Sequence, residues 1–123
     1  NIENINNKMR QSIPRLKELR KLRRSGKSNN FYDMYFGKNS LIWYRGYFEE
    51  QLTDSDILKI LKLVDADHIV VGHTSNEKVV QLYNNKIIGV DSSIKKGEYG
   101  ELVFIKDKRF SRATLNGELI ELK

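Results

Sequence analysis

His73 and Arg45 are the side chains in this sequence whose type and setting could do chemistry, the first as a metal ligand and the second as a grip on an anion. His73 falls near the end of the stretch H-I-V-V-G-H-T at 68–74, where Ile69, Val70 and Val71 form the short β-branched run expected of a strand buried on both faces. Gly72 ends that run. A glycine there lets the chain turn sharply, and an imidazole just beyond it is presented from rigid backbone, as a metal ligand would need to be. Most histidines at strand ends are ordinary surface or hydrogen-bonded residues, so position alone assigns nothing. Arg45 lies in L-I-W-Y-R-G-Y-F at 41–48, among Trp43, Tyr44, Tyr47 and Phe48. Such rings either anchor a core while the arginine snorkels among them, or fix a guanidinium whose planar fork grips two oxygens of a phosphate or carboxylate. The residues by themselves leave both readings open.

Several elements must position these groups. Ile2, Ile5, Met9, Ile13, Leu16, Leu19 and Leu22 recur at three- and four-residue steps, the stripe of an amphipathic helix. Pro14 belongs in a first turn, so the pattern predicts a helix over 13–24 with Ser12 as its N-cap, preceded by a separate helix or turn. A loop is expected at 25–30, followed by the aromatics Phe31, Tyr32, Tyr35 and Phe36. Thr53 and Asp56 mark the start of another helix, running to Leu63 or Val64, with Ile57, Leu58, Ile60, Leu61 and Val64 as its buried side. Helix followed by the 69–71 strand is an α/β unit, whose strand end is where ligands gather. His68, beside Asp67, reads as a polar edge residue.

Hairpin patterns follow. Val79, Val80, Leu82 and Tyr83 read as a strand, Asn84 and Asn85 as a tight turn, and 87–90 as the returning strand closed by Asp91. Leu102, Phe104 and Ile105 mark a further strand, and Asn116-Gly117 joins 110–115 to 119–122. The expected fold is therefore α+β: N-terminal helices and a mixed, mostly antiparallel sheet in one domain over 1–123.

Composition bounds the chemistry. With no cysteine, a disulfide framework, a thiolate nucleophile and Cys-ligated zinc are all excluded from this chain. The net charge of +6 arises from 22 basic and 16 acidic residues, and much of the excess lies between positions 8 and 27. Such a segment attracts phosphate-bearing partners, but no aromatic residue is interleaved there to stack on bases. A solvated helix face is the favoured reading, and nucleic acid is not the expected partner. No run is long and apolar enough to span a bilayer. The compartment is not set by the sequence, with the cytoplasm as default. A chain that starts at Asn1 is expected to be a processed or truncated piece.

Three segments in order, W-Y-R-G-Y at 43–47, V-V-G-H-T at 70–74 and I-I-G-V-D-S at 87–92, resemble the C-terminal portion of calcineurin-like metallophosphoesterases, particularly the bacterial members similar to serine/threonine protein phosphatases. The resemblance implies half of a layered α/β sandwich. It implies metal ligation by His73 in a centre of two divalent ions, manganese, iron or zinc, and a phosphate contact by Arg45. Two such ions would bridge and activate a water while the arginine offsets charge on the equatorial oxygens. The family's Asp-x-His, Gly-Asp-x-x-Asp and Gly-Asn-His-Glu motifs do not occur here. The chain is then expected to be the C-terminal half of a phosphomonoesterase, partnered by a missing N-terminal half and acting on a phosphorylated substrate. On its own it is expected to bind no metal stably and to leave para-nitrophenyl phosphate unhydrolysed when supplied with manganese. Apolar surface near 70–74 and 87–90 is expected to stay open, inviting a homodimer through the exposed sheet. The alternative is a free-standing basic α+β module that binds nucleic acid or an acidic protein through Arg20, Lys21, Arg23 and Arg24.

Overall fold

The computed structural model describes residues 1–27, 30–38, 40–49 and 52–123. The chain divides into two compact units, Asn1–Arg45 and Gly46–Lys123. Among the described residues no helix is long and apolar enough to cross a membrane.

In the first unit the apolar stripe becomes α1 (Ile2–Ser12), a 3-10 turn at Ile13–Arg15, and α2 (Leu16–Arg24). Pro14 has no N–H to give to the ladder, and its ring would meet the carbonyl of Arg10 in a continuous α-helix. The tighter turn absorbs it, because such turns close with a different hydrogen-bond step. Ser12 is not the cap that its residue type suggested: its buried hydroxyl donates to the carbonyls of Lys8 and Met9 in the preceding turn. The true N-cap of the helical run is Asn1, whose side chain accepts from the Asn4 amide at 2.9 Å. Positions 28 and 29 of the expected 25–30 loop lie outside the described residues. The aromatics beyond it form a helix of their own, α3 (Asn30–Phe36), which buries Tyr32 and Tyr35 and sets the Phe31 and Tyr35 rings 4.7 Å apart.

The second unit begins its regular structure with α4 (Asp54–Val64). Thr53 and Asp56 form a reciprocal capping box: the Thr53 hydroxyl accepts from the Asp56 amide at 3.2 Å, and the Asp56 carboxylate accepts from the Thr53 amide at 3.1 Å. Losing that cap in Thr53→Ala is expected to cost about 1 kcal/mol of stability, measured by urea unfolding. Ile57 and Leu61 are buried, and Ile60 and Val64 are half-buried beside them. Leu58, expected in that set, is 53% exposed. One residue past Ile57 is about 100° further round a helix of 3.6 residues per turn, off the packed stripe.

Two sheets of three strands follow, where the sequence suggested one. The first has the order β1-β3-β2, with β1 (Ile69–Val71) parallel to β3 (Ile87–Gly89) and β2 (Val80–Leu82) antiparallel to it. The 83–86 turn puts Tyr83, Asn84 and Asn85 at positive φ. Ile57, Leu61 and Ile87 form the core cluster, with Tyr47, Ile69, Val71 and Leu82 packed against it. Contrary to expectation, β1 is covered on one side only: Val70 is 48% exposed, because β1 is the edge of its sheet. The expected open surface at 87–90 is also overturned, since β3 is central and Ile87 and Ile88 are essentially inaccessible.

The second sheet runs β4 (Leu102–Lys106), β5 (Arg109–Ala113), β6 (Leu119–Glu121), all antiparallel. Asp107 and Lys108 both take positive φ, the mirror-image turn that matches strand twist, and Gly117 serves the second hairpin at φ +83°. His68 is not a simple edge residue. Its ring lies 4.7 Å from that of Phe110, tying the start of β1 to β5.

Candidate functional site

Arg45 ends the first unit. Its guanidinium stands 5.7 Å from the centre of the Trp43 ring and donates to the Trp43 carbonyl at 3.3 Å. Trp43 is 45% exposed, so this ring is a platform for the guanidinium rather than a core anchor. Stacking on one ring and bonding to one carbonyl holds the head group in a defined plane. A planar fork so held suits an anion with paired oxygens.

His73 lies in the second unit, just past the end of β1. Here the structure differs from expectation in an informative way: the sharp turn is taken by His73 itself, at φ +68°, and not by Gly72. A non-glycine residue in the left-handed region is uncommon and costs roughly 1 kcal/mol or more, so the surroundings must impose it. A methyl group added at Gly72 would meet the Val90 side chain at an ordinary 3.7 Å.

The surroundings come from β3. Because β1 and β3 are parallel and Val71 pairs with Gly89, the segments leaving both strands emerge side by side. The Val90 amide donates to the Val71 carbonyl at 2.8 Å, extending the pairing past the strand ends. Asp91 then holds the His73 loop through several groups. Its backbone carbonyl accepts from the Asn76 amide at 2.8 Å, and its carboxylate accepts from the Ser75 hydroxyl at 3.1 Å and from the Ser93 amide at 3.0 Å. The Ser93 hydroxyl returns to the Asn76 carbonyl at 2.7 Å. The Ser93 amide holds the Asp91 carboxyl below its ordinary range; burial opposes this, while Ser75, Lys95 and His73 add to it. The sequence singled out the strand carrying Asp91 but not this role. The signal available was a carboxylate directly after a β-branched strand, with hydroxyl residues at 92 and 93.

A second cluster supports the first. The Glu101 side chain is fully buried and accepts from the Val79 amide at 2.9 Å, from the Tyr99 hydroxyl and from Arg112 on β5. Its backbone amide donates to the Ser92 hydroxyl at 2.8 Å. Burial pushes the Glu101 carboxyl up, but Tyr99, the Val79 amide and Arg112 together outweigh it and hold the group below its ordinary range. Sequence reasoning missed Glu101 because its partners, Val79 and Arg112, are far from it along the chain.

The comparison with solved structures finds phosphatases. A crystal structure of the cold-active protein tyrosine phosphatase of the psychrophile Shewanella sp. is similar at 42% sequence identity and a TM-score of 0.76, over 82% of this chain and 30% of that one. A 1.1 Å structure of a cold-active protein tyrosine phosphatase matches at the same identity and TM-score, over 81% of this chain and 30% of that one. The chain thus spans about a third of the length of the phosphatases it matches. No family model and no curated protein matches.

These findings correct the resemblance drawn from the three motifs. The similar structures are of a protein tyrosine phosphatase, not of a calcineurin-like metallophosphoesterase by name. Among the described residues, no group of three or more His, Cys, Asp or Glu comes together to hold a metal ion. The expected centre of two divalent ions, manganese, iron or zinc, with His73 as a ligand, is therefore withdrawn. The physical reason lies in the donor set: a metal site needs several convergent ligands, and the described residues bring no three such side chains together.

Proposed function

We propose that this chain is part of a phosphatase that hydrolyses phosphate monoesters, with phosphotyrosine in protein as the substrate class. The observation that carries the reading is the 42% identity, across four-fifths of the chain, with solved structures of a protein tyrosine phosphatase. Arg45 is proposed as a phosphate contact: its guanidinium, steadied by Trp43, offsets charge on the phosphoryl oxygens as the transition state spreads it. Within the second unit, His73 is proposed as a phosphate contact, offering a ring N–H to a phosphoryl oxygen. The chain contains no cysteine and so supplies no thiolate nucleophile.

The alternative of a basic nucleic-acid or acidic-protein module has one of its contacts engaged within the first unit. Arg23, one of its four proposed contacts, is paired with Asp33 at 3.7 Å and stands over the Tyr32 ring at 5.7 Å.

Titration of the chain with O-phosphotyrosine, followed by nuclear magnetic resonance, tests the reading. Arg45→Ala is expected to weaken binding by about tenfold or more, since a hydrogen bond to a charged group contributes roughly 1.5–3 kcal/mol. Arg45→Lys keeps the charge but not the fork and is expected to recover only part of the affinity. Equal affinity of all three proteins would remove Arg45 from the site.

A further inference from the structure

After Val71 the chain runs outside the sheet until it rejoins at Val80. We infer that Asp91 is a positioning residue for His73: its carbonyl and carboxylate tie the 73–76 loop to the end of β3 and so fix where the imidazole stands. The inference rests on the proposed phosphate contact of His73.

Asp91 grips the loop at adjacent residues by different means, through the Ser75 hydroxyl at 3.1 Å and the Asn76 amide at 2.8 Å. The Asn76 side chain carries the restraint one step closer, donating to the Thr74 carbonyl at 2.8 Å. His73 is next, in a left-handed conformation at φ +68° that an unrestrained non-glycine residue would leave. Asp91 is itself anchored. The Ser93 amide donates to its other carboxylate oxygen at 3.0 Å, and neighbouring Ser92 is bonded to the backbone of buried Glu101. A path of hydrogen bonds therefore runs from the Glu101–Arg112 pair through Ser92 and Asp91 to the His73 loop.

The residue type fits the task. A carboxylate offers an acceptor oxygen to each of two donors arriving from separate segments, Ser75 and Ser93. An asparagine has one carbonyl oxygen and must give up one of the two.

The test uses the isotopically labelled chain, reading amide hydrogen exchange and the His73 ring resonances in Asp91→Ala, Asp91→Asn and Ser75→Ala. In Asp91→Ala the Ser93 amide, which loses its carboxylate acceptor, is expected to exchange about tenfold faster or more, with displaced His73 ring resonances, while β4 and β5 keep their original rates. Asp91→Asn falls between the two. Should Asp91→Ala fail to fold, Ser75→Ala decides, since it removes the side-chain tether without burying or exposing a charge. Unmoved His73 resonances in Ser75→Ala, or in a folded Asp91→Ala, would overturn the inference. Titration with O-phosphotyrosine separates this from the phosphate reading. If the unaltered chain shows no response at His73 but Asp91→Ala still displaces the ring, positioning stands and the phosphate contact fails. If both proteins respond with equal affinity and the ring resonances are not displaced, the phosphate contact stands and positioning fails.

Discussion

Replacing Glu101 with alanine is expected to lower the stability of the second unit by about 3–5 kcal/mol, the usual cost of breaking a buried ion pair from one side. The Arg112 guanidinium, whose side chain is 21% exposed, would lose its carboxylate, and the buried Val79 amide would lose its acceptor. Neither can turn fully to water in exchange. The loss also has a pH dependence whose sign is fixed by the depressed Glu101 carboxyl. The native state favours the charged form more than the unfolded chain does. Its contribution is therefore complete above the ordinary carboxyl value of about 4.3 and disappears as pH falls through the lowered native value. Urea unfolding of the parent and of Glu101→Ala at neutral pH and in acid should show two curves that converge as the pH drops. Parallel loss of stability in both proteins would show that the Glu101 carboxylate is not the group responsible.

Ile87→Ala is expected to cost about 2–5 kcal/mol, in the range for truncating a fully buried aliphatic side chain and leaving a cavity. Ile87 has no exposed surface and sits on the central strand, in the cluster with Ile57 and Leu61 of α4. The void would open where the helix meets the sheet, and the strand that leads to Asp91 would lose its packing. Ile87→Val, which removes a single methyl group, should cost about 0.5–1.5 kcal/mol. Chemical denaturation of the two variants measures both. A smaller loss in the alanine protein than in the valine protein would contradict the packing described here.

The sequence by itself determined those features that depend on near neighbours. The capping box at Thr53 and Asp56, the helical face of Ile57 and Leu61, and the Asn116-Gly117 hairpin are written in residues a few positions apart, and they form as their types require. The α+β class follows from the same local periods. The platform of Trp43 under Arg45 is also local, with donor and acceptor two positions apart. Local signals misled where one residue type fits several places: Ser12 bonds backward into α1 instead of capping α2, and His73 takes the turn expected of Gly72.

Tertiary structure alone decided which strand is central, and with it which apolar residues are covered. Val70 and Ile87 look alike in sequence, but β1 is an edge and β3 is not. It also decided the polar framework around His73, because the parallel pairing of β1 with β3 brings Asp91 to a loop sixteen positions earlier at Ser75. The Glu101 cluster arises the same way, from segments eleven and twenty-two positions apart. A hydrogen bond depends on distance and direction in space, and for groups so far apart along the chain those are fixed only when sheets and helix have packed.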